Sequence, residues 1–126
     1  MKVIEGLYYS KEHEWIKVVD GKAYIGITEF AAHALGDIVF VELPEVDADF
    51  NKDEVIGVIE SVKAASDMFT PISGTVIEVN ENLEDEPQLL NSNPFENHIA
   101  VIELKDESEL EELMNSEEYT RFCEEK

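Results

Sequence analysis

The sequence predicts a mostly β domain with one short internal helix and helices at its C-terminus. Three observations carry that prediction. Runs of β-branched and aromatic residues recur at strand length from Trp15 to Leu104, punctuated by Gly, Pro and acidic turns. Two of these runs reappear, in the same order, later in the chain. After residue 106 the apolar residues switch to i, i+3, i+4 spacing, the mark of a helix with one buried face. At 126 residues the chain is one domain by size (1–126), and 44% hydrophobic content is enough for a core. It divides into a hairpin over 7–27, a central β core over 36–104 and terminal helices over 106–125.

The opening hairpin rests on Trp15-Ile16-Lys17-Val18, which alternates like a half-buried strand, and on Asp20-Gly21, a type I′ turn signal. Ala23-Tyr24-Ile25-Gly26-Ile27 is the return strand. Thr28 is an N-cap, Glu29 suits a first turn, Glu29 to Leu35 is a short helix, and Gly36 is its C-cap. His33 falls on that helix's surface. Ile38 to Leu43 is a strand stopped by Pro44, and 47–54 is a polar loop. The Asp-x-Asp-x-Asn start of that loop hints at calcium. Lys52 at the sixth position and Val58 at the twelfth exclude it, because glycine and a bidentate glutamate are needed there.

Val55-Ile56-Gly57-Val58-Ile59 leads to Lys63; Ala64, Ala65 and Ser66 follow, and a second extended run begins at Met68. This is strand, tight turn, strand, with Lys63 at the tip. Residues 36–41 parallel 74–79 at an offset of 38, and 56–60 parallel 99–103 at an offset of 43, so the later copy carries five extra residues. Two such units can pack about a pseudo-twofold, with Lys63 in the connection between them. Residues 81–98 are a loop-like surface excursion. Asp106 with Glu109 suits a capping box, and Leu110, Leu113 and Met114 form one stripe. Ser116 caps a second helix on which Tyr119, Phe122 and Cys123 repeat the spacing, so Cys123 is a packing residue.

Thirty acidic against nine basic side chains give a net charge of −21, which repels phosphate backbones. Nucleic-acid binding is not expected, and partners with basic faces are. No apolar run approaches the roughly 18 residues of a membrane helix. The start of the chain has no signal-peptide core and is not Arg-rich like a transit peptide. A soluble, intracellular monomer is the expectation. A single cysteine allows no internal disulfide and no Cys-x-x-Cys pair, so any sulfur chemistry must be brought by something else.

No nucleophile elbow, phosphate loop or His-Glu-x-x-His motif is present, and His13, His33 and His98 are scattered. An enzyme is not indicated, and no metal site is expected. A carrier is: a lysine at a hairpin tip offers an amine on a flexible four-carbon stem, and its small neighbours leave room for a modifying enzyme.

Glu60-Ser61-Val62-Lys63-Ala64, followed by Pro71-Ile72-Ser73-Gly74, resembles the modification hairpin of lipoyl-carrying domains. More narrowly, nearly the whole chain is similar to the glycine cleavage H-protein family. The matching stretches include residues 10–15, 25–28, 34–44, 60–64 with Ser66-Asp67, 71–74, 78–80 and 84–87. The resemblance implies a barrel-sandwich hybrid, lipoyl/biotinyl-domain-like, and lipoate joined by an amide to Lys63, with Glu60, Ser61, Val62 and Ala64 as the modification motif. It implies a carrier without catalysis of its own. Its partners would be a pyridoxal-phosphate glycine decarboxylase, a tetrahydrofolate-dependent aminomethyltransferase, a flavin (FAD) dihydrolipoyl dehydrogenase passing electrons to NAD, and a lipoate ligase or lipoyl/octanoyl transferase. The cofactor then brings its own sulfur pair. In such proteins the arm folds into a cleft on the body. The positions matching its polar lining are Glu12, Glu14 and Asp67, where carboxylates would pair with the cationic amine of the aminomethyl cargo.

The chain departs from many relatives in having Asn97-His98 where they carry Gly-Trp, which bears on packing before the last strand. A biotin carrier would show methionines beside its lysine, and a 2-oxoacid dehydrogenase lipoyl domain usually has Asp-Lys-Ala and a long linker; neither is found here. Two further readings stay open: a relay that donates lipoyl to other enzymes, and an acidic interaction protein whose Lys63 is never modified. The expected setting is a prokaryotic cytoplasm, or the mitochondrial matrix for a processed eukaryotic form.

Overall fold

The computed structural model describes residues 2–125, so the two end residues of the 1–126 span lie outside it. Its strands are β1 (Tyr8–Tyr9), β2 (Glu14–Val19), β3 (Lys22–Ile27), β4 (Ile38–Glu42), β5 (Asp49–Phe50), β6 (Val55–Ser61), β7 (Ala65–Phe69), β8 (Gly74–Val79) and β9 (Ala100–Leu104). The helices are α1 (Glu29–Leu35), α2 (Asn82–Asp85), α3 (Leu89–Ser92), a 3-10 helix over Glu107–Glu112, and α4 (Ser116–Glu124). The strands form a six-stranded sheet, β1-β2-β3-β9-β8-β5, and a three-stranded sheet, β4-β6-β7. Ile16, Ile25, Val76 and Ile102 from the first share one core with Ile38, Val41, Ile59 and Met68 from the second. This is the expected barrel-sandwich hybrid.

The opening hairpin forms as predicted. Asp20 and Gly21 both take positive φ, 48° and 77°, as a type I′ turn demands. β2 is more deeply covered than simple alternation predicts: Glu14, Trp15 and Ile16 are all buried. The tail of the chain closes over the face that a lone hairpin would leave wet. Trp15 Nε1 donates to Pro94 O at 3.0 Å, and Tyr9 stacks on Tyr119 with ring centroids 4.6 Å apart. Thr28 caps α1, its hydroxyl accepting from Ala31 N–H, and Gly36 ends it at φ 79°.

The repeat is real, but its second register is corrected. β4 and β6 pair with a bulge between Ile38 and Phe40; β8 and β9 pair with one between Val76 and Glu78, 38 residues on. Val41 faces Ile59, whereas Val79 faces Ala100, so the second strand's offset is 41 and the later copy has three extra residues rather than five. Apolar runs of similar residues slide past one another in sequence; hydrogen-bond register does not.

Five further expectations change. The polar loop 47–54 contains β5, which pairs Phe50 with Gly74. β7 begins at Ala65, not Met68, because Ala65 pairs with Glu60 as soon as the turn closes. Residues 81–98 are not a mere excursion: α2 and α3 drive Leu83 and Leu90, both fully buried, into the core. Each such leucine contributes roughly 1.5–3 kcal/mol. The capping box at Asp106 does not form, since Asp106 accepts from Ser108 while Glu109 turns away to Ser73. The complete capping box lies at Asn115 with Glu118, one residue before the predicted cap at Ser116. Tyr119 is buried, with Phe122 and Cys123 packed against its cluster. Among the described residues no helix is long and apolar enough to cross a membrane.

At the departure, Asn97 Nδ2 donates to Asn93 O at 2.9 Å, and His98 sits edge-on to Tyr24.

Candidate functional site: an exposed lysine and an acidic cleft

The β6–β7 turn is built around one hydroxyl. Ser61 N–H donates to Ala64 O at 2.8 Å, and Ser61 Oγ accepts from the N–H groups of Lys63 and Ala64 at 3.2 and 3.3 Å. A serine at this place satisfies turn amides that would otherwise need water. Val62 N–H donates to Asp37 O at 2.9 Å, which fastens the turn to the end of α1. Lys63 is exposed at the tip, and its stem crosses Gly36: a Cβ there would lie 3.0 Å from Lys63 Cε. Gly36 therefore serves twice, as a left-handed helix cap and as clearance for the lysine.

β7 runs from this turn to a cleft on the body. At strand rise, Ala65 to Phe69 spans about 13 Å. Phe69 lines a cleft of about 430 Å³ with Tyr9, Pro71, Leu113 and Met114 as its apolar wall and Glu12 and Glu14 among its acids. Glu12 is exposed at the rim. Glu14 is 2% exposed. Its carboxylate accepts from Ser10 Oγ at 2.9 Å and from Phe69 N–H at 3.1 Å. Burial nevertheless dominates, and pushes the Glu14 carboxyl up to about 8. Lys11, Lys52, Asp53 and Glu112 complete the cleft's charged lining.

The structure brings Glu12 and Glu14 together but does not put Asp67 in this lining. Asp67 is exposed on β7 opposite Val58, two residues short of Phe69, beside the route from the turn to the cleft. Glu60, Val62 and Ala64 surround Lys63 on exposed backbone. Sequence reasoning missed the rim pair Lys52–Glu112, at 2.9 Å, and the clamp behind it. Glu109 accepts from Ser73 N–H at 2.7 Å and from Ser73 Oγ at 2.8 Å, and Ser73 Oγ in turn accepts from Lys52 N–H at 2.9 Å. These residues are 21 to 60 positions apart, and no local spacing announces them. Ser10 alone had a signal: it lies four residues before Glu14, in the same matched stretch.

A family profile described as Glycine cleavage H-protein matches residues 7–126. The chain is 57% identical over 125 residues to the glycine cleavage system H protein of Thermoanaerobacter pseudethanolicus, covering 99% of each chain. It is 57% identical to that of Alkaliphilus oremlandii over 124 residues, 98% of each. It is 56% identical to that of Clostridium botulinum over 125 residues, 99% of this chain and 96% of the other. A crystal structure of the Mycobacterium marinum glycine cleavage system H protein superposes with a TM-score of 0.87 at 33% identity, covering 94% of this chain and 97% of that one. The chain belongs to the glycine cleavage H-protein family, the non-catalytic lipoyl carriers that shuttle within the glycine cleavage system.

Proposed function

We propose that Lys63 is the lipoyl attachment site of this carrier, and that the Glu12–Glu14 cleft shelters its cargo. One observation carries the reading: an exposed lysine stands at one end of β7, and a buried carboxylate holds the N–H of Phe69 at the other. The residues present fit a swinging acyl arm. The tip is exposed for modification, the Gly36 surface leaves the stem free, and the cleft offers an apolar wall beside an acid.

When attached, lipoate supplies the sulfur pair that takes up the aminomethyl group and the electrons of glycine oxidation. The chain's own residues do the rest. Ser61 holds the turn so that Lys63 projects. Glu14 would release its proton to solvent when a cationic amine arrives, and the resulting pair would hold that amine beside a buried carboxylate. Glu12 adds a second negative charge at the rim, and Asp67 flanks the approach. Glycine decarboxylase, the aminomethyltransferase and dihydrolipoyl dehydrogenase are the partners this reading names, with a lipoate ligase or lipoyl/octanoyl transferase installing the group. The bacterial relatives support a prokaryotic cytoplasmic setting.

The test is Lys63→Arg, which keeps charge and removes the acylable amine. The variant is expected to fold as the parent does and to lose glycine–bicarbonate exchange in the reconstituted system. Exchange at the parent's rate would sink the proposal.

A further inference from the structure

Beside Lys63 the three-stranded sheet exposes apolar side chains that its fold does not require. Val39 is 54% exposed, Phe40 47% and Val62 66%. In a regular strand, neighbours point to opposite faces; the β4 bulge lets Val39 and Phe40 both face outward. The later copy supplies an internal control. It has the same bulge, yet there Ile77 is half-buried and the outward residue is Glu78. The bulge alone therefore does not demand an exposed aromatic.

The patch is ringed by acids. Glu60 lies directly opposite Phe40, and Glu42 shares the next row with Asp67 across Val58. It is also joined to the turn, because Ile38 pairs with Ser61 and Asp37 O holds Val62 N–H. An apolar centre with a charged rim is the anatomy of a protein-docking surface, and the sign of the rim calls for a basic partner.

We propose that Val39, Phe40 and Val62 are the docking surface for the enzyme that acylates Lys63, a partner with an apolar pocket and a basic rim. The proposal rests on Lys63 being the attachment site. Which enzyme docks follows from reach. Enzymes that use the finished arm work at its far end and can stand off from the turn. The acylating enzyme must bring its reacting centre to Nζ itself, and so must cover Val62. In that step the neutral Nζ attacks the carbonyl of an acyl adenylate; the C–N bond forms, AMP leaves with the electron pair of the broken C–O bond, and the amine proton passes to solvent.

The experiment is steady-state acylation by a lipoate ligase with lipoate and ATP, read by intact mass. Val39→Thr/Phe40→Thr keeps strand propensity and removes the apolar anchor. Its KM for the carrier should rise about tenfold or more, with kcat little changed, the loss expected on truncating an interface anchor. Ile77→Thr, at the other copy's bulge, should behave as the parent. An unchanged KM for the double variant overturns the proposal. So does a rise confined to dihydrolipoyl dehydrogenase acting on pre-acylated variant, since that assigns the patch to another partner. A parent that is never acylated refutes the attachment reading instead. Hydrogen exchange of full-length Lys63→Arg with the ligase, lipoate and ATP tests the same point without touching the patch. Protection over 38–42 and 61–64 is expected, and its absence overturns the proposal even if the double variant misfolds.

Discussion

The Glu14 carboxylate accepts the Phe69 N–H at 3.1 Å, so the first hairpin of the chain grips the far end of the strand that leaves Lys63. This contact defines the floor of the cleft. It also explains why a carboxyl group tolerates burial there: Ser10 and Phe69 donate to its two oxygens.

The buried carboxyl has a pH signature. Its folded value, about 8, lies above the ordinary carboxyl value of 4.5, chiefly because burial strips the charged form of water. Between these values the folded state holds a proton that the unfolded state has released, so stability falls as pH rises through that window. The contribution is fully present below about pH 4.5 and lost as pH passes 8. Glu14→Gln keeps the shape and cannot ionise. Its unfolding free energy relative to the parent, read by urea titration, should grow from pH 5 to pH 8.5 by an amount of the order of a few kcal/mol. A difference that stays constant across that range would contradict the assignment.

The clamp behind the cleft is structural. Glu109→Ala removes both partners of Ser73's donors, and Ser73 is only 8% exposed. Leaving a buried N–H unpaired costs about 1–3 kcal/mol. Urea titration should show a lower midpoint with an unchanged slope, and a midpoint equal to the parent's would show that the clamp is dispensable.

Gly26 is required by close approach. A Cβ at this position would stand 2.6 Å from two carbons of the Trp15 indole. Gly26→Ala must push the ring off Pro94 O, toward water. Since Trp15 is the only tryptophan, its emission should shift to longer wavelength and the protein should lose stability. An unshifted spectrum would mean that the hairpin moves instead.

Much of this was legible in the residues. Asp20-Gly21, Thr28 and Gly36 act locally, and each does in the structure what its chemistry predicts. The Lys63 hairpin was legible for the same reason: a β-branched run, a turn-stabilising serine and small residues lie within a dozen positions. What failed was non-local. Leu83 is a lone apolar residue in polar surroundings and Leu90 belongs to an isolated Leu89-Leu90 pair, and only the tertiary fold shows that each reaches the core. Glu109 fits a local capping pattern, yet Ser73 offers two donors and wins it. Glu14 was found through resemblance, whereas its burial under Phe69 belongs to the fold alone.

The central claim is that Lys63 carries the arm. The direct measurement is intact mass and peptide mapping after incubation with lipoate, ATP and a lipoate ligase, with a known H protein in a parallel tube. The account predicts a gain of one lipoyl group, located on Lys63. An unmodified Lys63 beside a modified control would contradict it.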